Sequence, residues 1–392
     1  MTFLLSYQNV FEYLVEQGIC KQSDQDKIQI KPISCKNFNL LVSFSNGRHL
    51  LVKQEPHNRE GNTLGELHNE WRIQEFLQNF PELIAIRPLI SEPIHFDPSC
   101  SIIVFNYLND YCDLTNFYDQ KEVFPTGIAA QLGASIATIH RTTLDRKEYK
   151  DFFASNGKEF LEQTPNLLHG LEGIGPEIFA IFCADGIEFF KLYQRHESIG
   201  QAIAELNRAW QPCCLTHNDL KLSNVLVQLE WEQTLSNPQS EARNILRLID
   251  WERFTWSDPA FDLATIIANY LTIWLSSLTV NRSIDVQTAL RLAKIPLEVI
   301  QPSLVALTNA YFDYFPEILQ RSPNFLRRVI QFTGFILIEK IQTRIEYRKI
   351  FGNTGVCMVQ VAKRLLCNPD DSIPIVFGTT ASELTDLSPI PA

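Results

Sequence analysis

Two short apolar runs constrain this chain more than anything else in it: Val225-Leu226-Val227, and Leu246-Arg247-Leu248-Ile249. The first follows a polar turn, "HNDLKLSN" (217–224). The second leads into another, "IDWERFTWSDPAFDLA" (249–264). Paired as strands of one hairpin, the runs carry Asn224 and Asp250 to the same end. An amide oxygen and a carboxylate are hard ligands of the kind Mg2+ prefers, with phosphate and water filling the remaining positions. Asp219 adds a carboxylate able to accept or orient the proton of a hydroxyl, and phosphoryl transfer asks a protein for little beyond positioning and charge. The plain alternative for each residue is a turn or a cap, since Asp and Asn are common in loops. Asp258 stands where it would cap a helix beginning at Pro259.

Around these stretches the pattern changes along the chain. Residues 27–55 alternate as strands, with Asn46-Gly47 between two apolar runs as a hairpin signal. Helical spacing follows at 64–78, then a strand between Pro88 and Pro98 and an apolar strand at 100–108. Beyond a hinge near 106–115, long helical patterns occupy 123–141, 185–210, 258–280, 296–316 and 324–349. The polar segment 230–243 reads as an exposed hairpin excursion, and the Pro-, Ser- and Asp-rich tail from about 369 as irregular. The expected fold class is α+β. A small β-rich N-terminal lobe (1–107) precedes a larger, mainly helical lobe (108–392), and ligands favour the cleft between such units.

Composition excludes some classes. A net charge of −11 argues against general nucleic-acid binding, which calls for a basic face. Nine scattered cysteines with no CxxC read as small thiols in a reduced, cytoplasmic protein, and the histidines lack zinc-type spacing. The most apolar window, 263–280, contains Asn269 and several hydroxyls and lacks basic flanks. It reads as a buried helix, so no membrane insertion is expected. The N-terminal segment meets Glu12 and Glu16 early and reads as an amphipathic helix rather than a signal peptide.

Taken together, "HNDLKLSN" and "IDWERFTWSDPAFDLA" resemble the aminoglycoside phosphotransferase and choline kinase family, which shares the protein-kinase-like two-lobe fold. The resemblance covers most of the chain. It implies ATP and Mg2+ as cofactors, Asp219 as catalytic base, Asn224 and Asp250 as metal ligands, and His217 and Asp262 as structural supports of the loop. In the small lobe it implies that Lys53, at the end of "HLLVK", meets the α- and β-phosphates. Glu70 is its partner in preference to Glu66 or Glu75. The alternative for Lys53 is a solvated strand end. The glycine-rich phosphate loop of protein kinases is absent. "SCKNFNLLV" stands in its place, so backbone amides of Lys36 to Asn39 are the phosphate-capping candidates. The adenine site is expected at 105–108, around Asn106, Tyr107 and Leu108. The segment "LGASIATIHR" (132–141) resembles a family helix with a packing role.

Lys221 is a departure. Many relatives carry another residue there, whereas Ser/Thr kinases place a lysine that neutralises the transferring γ-phosphate, a role electrostatics favours. The alternative is an exposed loop lysine. Three readings follow. The acceptor is a hydroxyl-bearing small molecule (aminoglycoside-, choline-, sugar- or nucleoside-like), or the Ser/Thr hydroxyl of a peptide, or the chain is a pseudokinase that only binds a partner. The joint presence of Lys53, Asp219, Asn224 and Asp250 argues against the last. Acidic residues at 171–188 and 313–317 are candidates for holding a cationic acceptor, or simply solvated helix faces.

Overall fold

The computed structural model describes residues 3–34, 36–154, 183–236, 244–280 and 286–386. The chain forms two compact units, and the division does not follow chain order. One contains Met1–Asn116 and Asn224–Phe254; the other contains Phe117–Ser223 and Thr255–Ala392.

The first unit is built on an antiparallel sheet of β1 (Ile28–Ser34), β2 (Phe38–Phe44), β3 (His49–Gln54), β4 (Pro93–Asp97) and β5 (Ile102–Asn106), ordered β1-β2-β3-β5-β4. The β2–β3 connection is the Asn46-Gly47 turn, where Gly47 sits at φ +84°, a conformation glycine adopts without steric cost. Side chains alternate faces along a strand. Leu50 and Val52 of β3 pack with Leu40, Val42, Ile102 and Val104 against Val10, Phe11 and Leu14 of the Val10–Glu16 helix. On the opposite face, Ile103 and Phe105 pack with Leu67 of the Glu66–Asn79 helix. Lys53, one residue past Val52 and paired with Ile103, is therefore directed to the face covered by the Glu66–Asn79 helix. The same unit holds a three-stranded sheet in which Val225–Gln228 runs antiparallel to both Tyr111–Asp113 and Leu246–Leu248. The expected excursion at 230–243 is instead a short helix over Trp231–Ser236; the rest of it, 237–243, lies outside the described residues.

Helices dominate the second unit. Thr126–Thr143 packs on Leu297–Tyr314, and Pro259–Ser276 packs on Phe325–Arg348, which in turn packs on Gly352–Cys367. The first of these contacts is close. A Cβ placed on Gly133 would lie 2.0 Å from the carbonyl oxygen of Leu307, so a side chain there is excluded by backbone. The expected 185–210 helix is two helices, Ala184–Gln194 and Glu197–Arg208, broken at Arg195-His196. Pro259–Ser276 is the apolar window, and it is buried against the neighbouring helices. Among the described residues no helix is long and apolar enough to cross a membrane. Asp258 caps this helix by accepting the Ala260 N–H at 3.0 Å, as its position before Pro259 predicts.

Over its described residues, 369–386, the tail is not irregular. Pro369–Phe377 and Ala381–Thr385 are helices. Pro369 occupies the first turn, where its missing N–H costs nothing. Asp370 and Asp371 complement the positive end of the helix, and Gly378 closes it at φ +71°. Thr380 and Glu383 then form a capping box for the next turn. Residues that look like loop composition are here the start and stop signals of short helices.

Candidate active site

In the first unit, sheet register and hairpin geometry gather the candidate phosphate and metal residues. Lys53 is buried, and its Nζ lies 3.4 Å from Glu70 Oε2 and bonds Asp250 Oδ1. Burial opposes the charge on Lys53, but Glu70 and Asp250 outweigh it and raise the pKa above the ordinary lysine range. The amine therefore stays protonated. The other two glutamates of the helix are engaged elsewhere: Glu66 pairs with Lys36, and Glu75 accepts the Trp71 indole N–H at 3.1 Å.

The hairpin expected at Val225 and Leu248 is present, with Val225 opposite Leu248. It is closed at the Asn224 end by the Ile249 N–H donating to the Asn224 carbonyl at 3.0 Å. Asn224 and Asp250 thus emerge at one end of the ladder. Asp250 adopts φ +59°, a left-handed conformation that Asp tolerates better than most residues.

Carboxylates outnumber amines here. Burial, then Asp250 and Glu252, push Glu70 up to about 7 against the pull of Lys53. Burial, with Glu66 and Asp250, also raises Glu252. A buried surplus of negative charge beside two oxygen donors suits a hard divalent cation. Among the described residues no three His, Cys, Asp or Glu side chains converge as a metal cage.

The weaker nucleotide candidates are placed as follows. Asn39 is the cross-strand partner of Lys53, so the two share a sheet face. Its Oδ1 is buried with no hydrogen-bond partner among the described residues. Asn106 ends β5 and is exposed, as is Tyr107, while Leu108 is half-buried. The Tyr107 N–H already donates to the His49 carbonyl at 2.9 Å, and the Leu108 carbonyl accepts from Tyr111 at 3.3 Å. These two backbone groups are used within the protein.

The second unit holds the loop that follows strand Cys214–Thr216, a strand that pairs antiparallel with Thr255–Ser257. Asp262, in the first turn of the Pro259–Ser276 helix, accepts the backbone N–H groups of His217 at 2.7 Å and Asn218 at 2.9 Å. Asn218 itself takes φ +63°. The His140 Nε2 lies 3.3 Å from the same carboxylate, and its Nδ1 lies 2.9 Å from the Tyr311 hydroxyl. Burial works against the Asp262 charge, but His140 and His217 hold its carboxyl below the usual range. The loop is thereby fixed from the helix side by a fully buried anion. Beyond it, Asp219 is partly exposed and bonded to Lys221 Nζ at 2.8 Å.

Two further residues interact with this loop or its brace through contacts that the sequence does not announce. Lys340, on the Phe325–Arg348 helix, interacts electrostatically with Lys221 and Asp219. Its Nζ donates to Asn269 Oδ1 at 3.0 Å. His140 lies in "LGASIATIHR", but its bond to Asp262 is not readable from that segment alone. Of the acidic candidates at 171–188, residues 171–182 lie outside the described residues. At 313–317, Glu317 is paired with Arg141, which leaves it poorly suited to a cationic ligand.

Among solved structures, the chain is similar to the choline kinase LicA from Streptococcus pneumoniae (15% identity, TM-score 0.40, covering 91% of this chain and 98% of that one). It is similar to the aminoglycoside phosphotransferase APH(2'')-Ib in its ADP-bound form (14%, TM-score 0.49, 92% and 99%). It is also similar to the macrolide 2'-phosphotransferase MphH from Brachybacterium faecium (13%, TM-score 0.46, 92% and 98%). Curated proteins give no match in sequence. A family model, described as the phosphotransferase enzyme family (APH), matches residues 31–287, a span that includes Lys53, Glu70, Asp219, Asn224, Asp250 and Asp262. The chain therefore belongs to the phosphotransferase enzyme family and is a kinase by class.

Proposed function

We propose that this phosphotransferase moves the γ-phosphate of ATP to a hydroxyl of a small molecule. The observation that carries this reading is the Lys53 amine held between Glu70 and Asp250, at the end of the hairpin that also presents Asn224. A protonated, buried lysine is a fixed positive charge for nucleotide phosphates. Asn224 and Asp250 would hold Mg2+, which when bound neutralises phosphate charge. Asp219 is the base that takes or orients the acceptor's proton, and Asp262 positions its loop. Lys221, salt-bridged to Asp219 at 2.8 Å, serves the transferring phosphate. The resemblance of the two motif stretches to enzymes of aminoglycosides and choline supports a small-molecule acceptor. No observation favours a peptide.

The test is ADP formation from Mg-ATP by wild type, Lys53→Met and Asp250→Asn, with folding checked by circular dichroism. Each variant should lose at least ~10²-fold in turnover, the scale of one lost electrostatic stabiliser. Wild-type turnover in both would sink the proposal.

A further inference from the structure

Glu55 follows Lys53 by two positions, so its side chain falls on the same face of the sheet, the one covered by the Glu66–Asn79 helix. It is only 2% exposed. Its backbone N–H extends the β3–β5 ladder by donating to the Ser101 carbonyl at 3.1 Å, and the Ser101 hydroxyl donates in return to Glu55 Oε2 at 3.0 Å. The carboxylate also reaches the start of the helix. Oε1 accepts the Glu66 N–H at 3.2 Å, and Oε2 accepts the Leu67 N–H at 3.3 Å. A helix leaves its first N–H groups without internal partners, and a carboxylate at that end also meets the positive pole of the helix. Gly65, at the N-cap position, has no side chain to fill this role. The cap therefore comes from the strand that carries Lys53. Glu70 stands one turn beyond Glu66, with its Oε2 3.4 Å from Lys53 Nζ. Beside it, Asn69 Nδ2 donates to the Glu252 carbonyl at 3.3 Å, which ties the helix to the turn after Asp250.

We propose that Glu55 is a positioning residue for nucleotide binding: its buried carboxylate sets where the helix starts and so holds Glu70 against Lys53. This rests on the reading of Lys53 as the phosphate-facing amine. Position along the helix axis is what the cap controls. Each residue advances the axis by ~1.5 Å, so sliding or fraying by a single residue takes Glu70 out of reach of Lys53, from which it is already 3.4 Å away. Lys53 is then left with Asp250, its other partner and a proposed metal ligand. With Glu70 in place, the amine keeps one carboxylate even when Asp250 is engaged by a metal. The charge matters as well as the shape. A carboxylate offers two oxygens to the three donors that converge here, whereas an amide of the same size offers one.

The experiment uses the full chain labelled with [13Cε]lysine, as wild type, Glu55→Gln and Glu55→Ala. Lys53→Met assigns the Lys53 resonance, and Glu70→Gln gives its position without the Glu70 charge. Val10→Ala is the control for lost stability, since Val10 packs on the opposite face of the sheet. All are measured well below their unfolding midpoints, with folding checked by circular dichroism. Without nucleotide, Glu55→Ala should move the Lys53 resonance toward its place in Glu70→Gln, and Glu55→Gln should move it part of the way. Val10→Ala should leave it where it is. By calorimetry, Glu55→Ala should weaken Mg-ADP binding about 10-fold, Glu55→Gln less, and Val10→Ala by under about twofold. A Lys53 resonance unmoved in Glu55→Ala, or moved as far in Val10→Ala, would reduce Glu55 to a cap that serves stability alone and overturn the proposal. So would a moved resonance with wild-type affinity for Mg-ADP. If Glu55→Ala does not fold, Glu55→Gln decides on the same two readouts. Wild-type affinity for Mg-ADP in Lys53→Met would instead overturn the reading of Lys53 and the nucleotide role of Glu55 with it, while the hold of Glu55 on Glu70 is still decided by the resonance.

Discussion

At the residue scale, the proposed chemistry turns first on Asp219. Asp219→Asn keeps size and most hydrogen bonding but removes the proposed base. Its kcat should fall by ~10²–10⁴-fold while nucleotide affinity stays near wild type, measured by single-turnover kinetics and ADP titration. A kcat within a few-fold of wild type would remove Asp219 from the reaction. Lys340 adds a pH signature. Held at about 8 by burial and by Lys221, it binds fewer protons in the folded chain than in the unfolded one, where lysine titrates near ~10.4. Stability should therefore rise as pH climbs through that window, relative to Lys340→Met, in chemical denaturation. A difference between the two proteins that does not change with pH would contradict it. The placement of Asn224 and Asp250 at one hairpin end was legible because they stand at fixed spacing beside strands. The surroundings of Lys340 were not, because a lysine in the middle of a long helix has no local signature and its neighbours come from segments distant in sequence.

At the element scale, local pattern specified many strands and helices with one buried face, since the period is then enforced by packing, although it missed the Gly352–Cys367 helix, which buries Met358, Val359, Ala362 and Leu365. It failed where punctuation outweighed periodicity. Arg195-His196 breaks a helix that hydrophobic spacing runs through, and the tail's Pro, Asp and Gly are caps rather than loop residues. Close approach of helices is equally hidden. Gly133 looks like a flaw in the Thr126–Thr143 helix, since glycine costs about 1 kcal/mol relative to alanine. Yet a Cβ there would meet the Leu307 carbonyl oxygen at 2.0 Å and the Tyr311 nitrogen at 3.2 Å. Gly133→Ala should therefore destabilise by about 1–3 kcal/mol despite the better propensity, because the two helices must separate. Urea unfolding decides it, and a gain in stability would show that the helices yield at no cost.

At the scale of the whole molecule, the chain crosses between its two units after Asn116, Ser223 and Phe254. The crossing after Ser223 falls inside the "HNDLKLSN" motif, so the proposed base and the proposed metal ligands belong to different units although only five positions separate Asp219 from Asn224. Reading the chain in order hides this, because Tyr111–Asp113 pairs with Val225–Gln228 across a long stretch of sequence and no local pattern announces such a pairing. The nucleotide-side candidates Lys53, Glu70, Asn224 and Asp250 all lie in the first unit. Binding to a folded site stabilises it by mass action, by about 2.7 kcal/mol at a hundredfold excess over Kd. A chain with two units need not melt in one step, so the quantity to follow is the calorimetric transition that responds to ADP. Magnesium with ADP should raise that Tm by several degrees, and EDTA should return it to the smaller shift given by ADP alone. Asn224→Ala should show the ADP shift without the magnesium increment, because the nucleotide still meets Lys53 while one of two protein oxygens for the metal is gone. If magnesium adds nothing in the wild type, or adds as much in Asn224→Ala, the hairpin end at Asn224 and Asp250 is not the metal site.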